Sequence, residues 1–456
     1  MRAFLWTTTF LLALAPSLRA ADRPNIVFVI SDDHRFDMMG SAGNPSIHTP
    51  NLDRLAKEGT HFRQATVHVP QCSPCRAQLL TGLPPHQNGH YANQTQREDV
   101  KNPDGFKQYP MLPALLRDGG YRTVLIGKWH LAPEPWNCGF TDVRVWFPPG
   151  GGKPLDNPNV ARGNSREPVA LKGYLNDLFG QDAAAFIRSE AAKEKPFFVW
   201  LALTAPHTPY TPNPQDVQRP YEGKSDEDVW PPHLPKDAKA KRMKEYAQAV
   251  TMADRQLGAV MTALDETKLA ENTVVVFMGD NGYMMGTREL NDQKGYHGKV
   301  YPYEDSVRVP FVMKVPGGKS AGAGSDACVS SLDLPATFLK LAGVTPPEAW
   351  AGRDMAPLFR TADAMGGKPF AHAVCEFADA QNEKFGDVNY RLIRSATHKL
   401  IDWGDPKRAD EFYDLKVDPQ ETKNLIDDAA TNAMRDALRK ELRAWMERTR
   451  DPALNW

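Results

Sequence analysis

Asn25-Ile26-Val27-Phe28-Val29-Ile30-Ser31-Asp32-Asp33 is a short apolar run that stops at a hydroxyl and two carboxylates. Apolar residues on both faces, bounded by turn formers, describe a strand of a parallel sheet that is covered on each side. Three further runs repeat the arrangement. Residues 122–126 end at Gly127-Lys128-Trp129-His130, residues 197–203 at Thr204-Ala205-Pro206-His207, and residues 274–278 at Gly279-Asp280-Asn281-Gly282. Helical stretches lie between them at 50–57 (with Thr49 as cap and Gly59 as stop), 112–118, 181–193 and 240–264. This alternation predicts an α/β fold with a mostly parallel central sheet flanked by helices. In such folds, sites form beyond the carboxyl ends of the strands. Each polar cluster alone is ordinary turn or capping chemistry, and a lone histidine is more often structural. Four strands ending in acids, amide, lysine or histidine point together to one site.

The string Cys72-Ser73-Pro74-Cys75-Arg76-Ala77-Gln78-Leu79-Leu80-Thr81-Gly82 carries the sharpest chemical signal. It sets a thiol ahead of a proline able to start a helix, then an arginine, then a helical turn ending at glycine. A helix N-terminus offers unpaired N–H groups and partial positive charge, which favours an anion beside Cys72. Arg76 adds a planar fork of donors suited to oxyanions. Standing alone, Cys72 would read as a buried structural cysteine. Asp32, Asp33, Asp280 and Asn281 supply three carboxylates and one amide oxygen, a set suited to Ca2+ or Mg2+ rather than zinc.

The string resembles the signature of the type I sulfatases of the alkaline-phosphatase-like superfamily, Cys-x-Pro-x-Arg followed by x-x-x-Leu-Thr-Gly. Further family motifs are matched in family order by Asp32-Asp33, Gly127-Lys128-Trp129-His130-Leu131, Ala205-Pro206-His207, Gly279-Asp280-Asn281-Gly282, and His297-Gly298-Lys299 with Tyr303-Glu304-Asp305-Ser306-Val307-Arg308-Val309-Pro310. One position departs: the usual serine is Cys75 here, and a Cys72–Cys75 disulfide would block modification of Cys72.

The resemblance implies that a maturase converts Cys72 to formylglycine (3-oxoalanine). It implies one Ca2+, with Mg2+ left open, held by Asp32, Asp33, Asp280, Asn281 and residue 72. The implied catalytic residues are Cys72, Arg76, Lys128, His130, His207 and Lys299. In that scheme the hydrated residue 72 attacks sulfur, Asp280 accepts its proton, His207 protonates the leaving oxygen, and His130 removes the second hydroxyl proton. Relatives often carry a histidine soon after the Asp-Asn-Gly turn, where Arg288 stands. Arg288 and His297 are therefore candidate substrate contacts, with His90, Asn93 and Trp146 as further ones. The implied activity is that of a sulfuric ester hydrolase acting on sulfate esters or sulfamates of a sulfated carbohydrate. Leu83-Pro84-Pro85-His86-Gln87-Asn88-Gly89 adds a local likeness to heparan N-sulfatases. Two alternatives stay open: a phosphate or phosphonate monoester hydrolase of the same superfamily, and a glycan-binding protein without turnover.

The 456 residues suffice for one large domain, expected over 22–365, and a smaller unit over 366–456. A net charge of −1 gives no sign of a nucleic-acid-binding or polybasic surface. Arg2, the apolar run 4–15 and Ser17-Leu18-Arg19-Ala20 read as a signal peptide over 1–21. The protein is expected to be exported, to the periplasm or beyond the cell, without a stable membrane anchor, since the run is too short to span comfortably. Cys75, Cys138, Cys328 and Cys375 could form up to two disulfides or stay as buried thiols. Beyond residue 366, the strand-like Tyr390-Arg391-Leu392-Ile393 and Lys399-Leu400-Ile401 precede a helix at 430–447. With Met434, Leu438, Leu442 and Trp445 on one helix face, they predict a small antiparallel sheet with a covering helix.

Overall fold

The computed structural model describes residues 23–93, 108–151, 153–189, 191–234, 241–286, 298–360, 368–378 and 388–455. The leader expected over 1–21 lies outside the described residues, as do the candidate substrate contacts Arg288 and His297.

Ten strands form the main sheet: β1 (Asn25–Ser31), β2 (Thr60–Phe62), β3 (Arg122–Lys128), β4 (Asp142–Phe147), β5 (Asn159–Arg162), β6 (Val169–Ala170), β7 (Phe197–Ala202), β8 (Thr273–Gly279), β9 (Phe311–Lys314) and β10 (Gly324–Ser325). Their order is β10-β2-β9-β8-β1-β7-β3-β4-β5-β6. The central β8-β1-β7-β3-β4 block is parallel, and antiparallel pairs appear towards both edges. All four strands expected from the apolar runs lie in that block.

Side chains alternate between the faces of a strand, and here both faces are buried. On one, Ile26, Phe28, Phe198, Trp200, Val274 and Val276 pack against the helices Cys72–Thr81, Leu112–Asp118 and Asp333–Leu341. On the other, Val27, Val29, Val199, Leu201, Val275 and Phe277 meet the helices Leu175–Arg188 and Met243–Glu266. Burying each such side chain stabilises by about 1.5–3 kcal/mol. Two-sided cover is the reason the strands read as unbroken apolar runs.

Two helix expectations need correction. The helix expected over 181–193 begins at Leu175 and ends at Arg188, with Ala191–Glu194 as a separate turn. Gly180 does not break it; a Cβ there would come 2.1 Å from Gln256 Oε1, so glycine permits close approach of the facing helix. The helix Pro50–Glu58 takes no side-chain cap from Thr49, whose Oγ1 instead accepts from Gly40 N at 2.8 Å. Its exposed N–H groups are met from the facing helix: Asp254 accepts from Leu52 N at 2.7 Å and Asn51 N at 3.3 Å. Tertiary contact replaces the local cap.

The C-terminal part is an antiparallel sheet of β11 (Ala373–Ala378), β12 (Asn389–Arg394), β13 (His398–Asp402) and β14 (Glu411–Asp414), covered by the helix Asn432–Thr449. Leu438, Leu442, Trp445 and Met446 cluster with Ile393, Leu400 and Phe412. Met434, expected on the same face, is 47% exposed; the apolar stripe starts a turn before the sheet that covers it. All five cysteines are free and buried. Among the described residues, no helix is long and apolar enough to cross a membrane.

Candidate active site

Three of the parallel strands are stitched together just past their ends. Asp32 N donates to Ala205 O at 3.1 Å, Asp280 N to Ser31 O at 2.9 Å, and His34 N to Asn281 O at 2.9 Å. These bonds bring the turns after β1, β7 and β8 side by side. Lys128 closes β3, where Gly127 adopts φ 98° and a Cβ would meet Ala202 O at 1.9 Å. Only glycine lets the strand approach β7 closely there. Lys128, fully buried, forms an ion pair with Asp32.

Cys72 opens a helix whose ten residues are all buried. Its Sγ lies 3.3 Å from Asp32 Oδ1 and 2.8 Å from Lys299 Nζ, which also reaches Asp33 Oδ1 at 2.6 Å. One turn on, Arg76 donates to Asp280 Oδ2 (2.8 Å), Asp32 Oδ2 (3.1 Å) and Lys128 O (3.0 Å). Burial, reinforced by Asp32, pushes the Cys72 thiol up to about 12. An unmodified thiol there is protonated at neutral pH and a poor nucleophile.

The donor atoms of Asp32, Asp33, Cys72 and Asp280 all lie within 4.8 Å of one another. Asn281 Nδ2 is occupied by Asp33 Oδ1 (2.6 Å) and Gly282 O (2.7 Å), whereas its buried Oδ1 has no hydrogen-bond partner among the described residues. A buried carbonyl oxygen without a donor is costly unless a cation meets it. Three carboxylates and an orphaned amide oxygen therefore fit a hard divalent ion. The charges agree with that fit. Burial opposes the charge on Asp32, but Lys128, His207 and Arg76 hold its carboxyl well below the usual range. Burial and then Asp32 push Asp280 up to about 7, against Arg76 and Lys128. Three carboxylates facing Arg76, Lys128 and Lys299 are formally neutral; a divalent ion would make the pocket positive, as an anionic ester requires.

Both candidate histidines reach the site. His207 Nε2 is 3.7 Å from Asp33 Oδ2, and its Nδ1 donates to Thr208 O at 2.6 Å. Burial, with Lys128 and Lys299, lowers its pKa against the pull of Asp33. His130 follows Lys128 by two residues in a left-handed conformation (φ 58°), with Nδ1 buried and unbonded among the described residues. Burial, then Lys128 and Arg76, hold it well below the usual histidine range.

Three further candidates are placed otherwise. Trp146 is fully buried, with Nε1 bonded to Gly163 O at 3.1 Å, so it is core and no sugar contact. Asn93 Oδ1 accepts from Ser73 N at 2.9 Å, and His90 Nε2 lies 2.6 Å from Ser73 Oγ; both brace the start of the Cys72 helix. His86 is bonded to Glu376 at 2.7 Å, far along the chain, inside a buried ionic cluster with Asp451 and Arg391. Sequence reading passed over Arg35 and Tyr246, both fully buried beside Asp33. No local pattern marks them, since the bonds that tie them to the site join residues more than 200 apart.

The family model described as Sulfatase matches residues 24–344, and one described as N-sulphoglucosamine sulphohydrolase, C-terminal, matches residues 292–448. The chain belongs to the sulfatase family. It is a sulfuric ester hydrolase. The sulfatase is 28% identical over 423 residues to an ulvan-active sulfatase of Formosa agariphila, covering 89% of this chain and 77% of that one. It is 32% identical to the N-acetylgalactosamine-6-sulfatase of Canis lupus familiaris over 72% of its own length, spanning 64% of the canine protein. A solved Bacteroides thetaiotaomicron structure from work on glycosaminoglycan metabolism superposes with TM-score 0.81 at 23% identity, covering 95% of this chain and 98% of that one. The phosphonate monoester hydrolase of Agrobacterium radiobacter superposes with TM-score 0.69 at 22% identity, over 94% and 96%. These two likenesses show the shared fold, as expected of the alkaline-phosphatase-like architecture.

Proposed function

We propose that this sulfatase is an exported enzyme that removes sulfate from a sulfated glycan, with Cys72 converted to formylglycine and one divalent ion, Ca2+ by family likeness. The observation that carries the reading is the position of Cys72 Sγ, buried between Asp32 Oδ1 and Lys299 Nζ at the opening of a helix. Relatives named for ulvan and for N-acetylgalactosamine 6-sulfate support a glycan substrate.

Asp32, Asp33, Asp280 and Asn281 would hold the ion, which supplies charge stabilisation to the sulfate oxygens when bound. A formylglycine hydrate at position 72 supplies the nucleophile. The remaining work falls to side chains seen at the site. Lys128 and Lys299 bring ammonium groups to the anionic head and to charge developing on it. Arg76 holds Asp32 and Asp280 with one guanidinium and so orients both carboxylates. His207, its Nδ1–H engaged by Thr208 O, presents Nε2 to the site and delivers a proton to the leaving oxygen from its doubly protonated form, which Asp33 favours. His130, kept neutral by burial and nearby cations, is suited to accept a proton at the unbonded Nδ1.

The test is the mass of the tryptic peptide spanning 64–76 from the native host, alongside turnover of matched sulfate and phosphate esters. The expected result is loss of sulfur and two hydrogens with gain of one oxygen at position 72, and preference for the sulfate ester. An intact thiol in a host that modifies other sulfatases, or preference for phosphate, would overturn the reading.

A further inference from the structure

We propose that Tyr246 and Arg35 are positioning residues for the cation site, holding the two turns that carry its ligands in register. This rests on Asp32, Asp33, Asp280 and Asn281 being that site. Neither residue offers it a ligand atom. Tyr246 stands on the helix Met243–Glu266, fully buried, and its hydroxyl donates to Asp33 O at 2.6 Å while accepting from Arg35 N at 2.9 Å. One phenol thus bridges the two ends of the turn that carries Asp33. Asp33 sits at φ 59°, a left-handed conformation that residues other than glycine adopt chiefly when their surroundings hold it.

Arg35 carries the link to the second turn. Its Nη1 donates to Tyr283 O at 3.0 Å and Met284 O at 3.4 Å, just past Asp280-Asn281-Gly282. Nε and Nη2 are anchored by Asp37 (2.9 Å) and Asp305 (2.9 Å), so the guanidinium cannot swing away without leaving buried charges unpaired. The path runs by hydrogen bonds from Asp33 O through Tyr246 Oη to Arg35 N, then along the Arg35 side chain to Nη1 and the 283–284 carbonyls, and joins both ligand turns. Outer partners of this kind tune how ligands are presented to a metal, and their loss weakens affinity about 10- to 100-fold.

The experiment is Ca2+ titration by calorimetry and thermal shift on the full chain with Cys72 unmodified, so that turnover is not needed as a readout. Tyr246→Phe keeps the buried ring and removes the bridge. Arg35→Lys keeps a cation and removes the fork, and serves if the first variant does not fold. Tyr221→Phe is the control: Tyr221 is equally buried, and its hydroxyl accepts from His48 N at 3.0 Å, remote in function from the ligand turns. The proposal expects Tyr246→Phe and Arg35→Lys to weaken Ca2+ binding about tenfold or more, with Tyr221→Phe unchanged. In modified enzyme, kcat of Tyr246→Phe should return towards wild type at saturating Ca2+. Wild-type affinity in both variants would overturn the proposal while leaving the cation site standing. A wild-type protein that does not bind Ca2+ or Mg2+ would overturn the cation site and the proposal with it.

Discussion

Lys299 Nζ lies 2.8 Å from Cys72 Sγ, the atom that modification would replace, and 2.6 Å from Asp33 Oδ1. A single ammonium thereby joins the reacting position to the end of β1. Lys299→Met should lower kcat about 10²- to 10³-fold, the usual effect of removing one preorganised donor from developing charge. Cys72→Ala should abolish turnover with the circular-dichroism spectrum unchanged. Steady-state kinetics on a sulfated sugar checks both, and comparable turnover by Cys72→Ala would defeat the proposed nucleophile.

Metal removal has its own signature. Asp280 is raised from 3.8 to about 7 because it is buried beside Asp32. A carboxyl that binds its proton more tightly when folded loses stability as pH rises from its unfolded towards its folded value. Without a cation, this contribution to stability should therefore fall between about pH 4 and 7. Bound Ca2+ should remove the repulsion. Melting temperatures in chelator and in Ca2+ should diverge increasingly over that range, and parallel curves would argue against the ion being held by Asp280.

His86 gives a pH dependence of the same sense in a higher window. Burial resists its charge, but Glu376 and then Asp451 raise its pKa above the ordinary 6.5. Its stabilising effect is then complete below about pH 6.5 and is lost as pH rises through the folded value. Histidines held low by burial, such as His34 and His90 at about 4, act below that window and in the other sense. His86→Gln should flatten the decline in melting temperature above pH 6.5. An unchanged slope would assign the decline to another group.

Arg391 holds the C-terminal unit together, beside the His86–Glu376 contact that joins it to the main body. It is 2% exposed, with Nε 2.6 Å from Asp451 Oδ2 and 3.5 Å from Glu376 Oε2. Arg391→Met leaves the buried Glu376 and Asp451 with only His86 opposite them, and above the pH at which His86 loses its proton it should cost about 3 kcal/mol or more. Urea unfolding measures it; a loss below about 1 kcal/mol, the range of exposed pairs, would mean the cluster is solvated.

Much of the site was legible because its residues sit where a local pattern ends. Asp32, Lys128, His207 and Asp280 each follow an apolar strand, and a parallel sheet delivers such ends to one side. Cys72 and Arg76 were legible as one helical turn. Trp146, a candidate contact that packing equally explains, is core: its strand position buries it, with Nε1 bonded to Gly163 O. His90 and Asn93 were read for their polar groups, and nothing local shows that those groups meet Ser73. Thr49 was assigned a cap by spacing, and the cap came instead from Asp254, two hundred residues on.

By itself, the sequence determined the α/β alternation, the four strand ends and the helix that opens at Cys72, because hydrophobic period and turn chemistry act over a few residues. The tertiary structure decided which oxygens converge, that Asn281 Oδ1 meets no donor among the described residues, and that Tyr246 and Arg35 bind the ligand turns to each other. Such bonds join residues far apart in the chain, and their energies depend on burial and direction, which no local run of residues encodes.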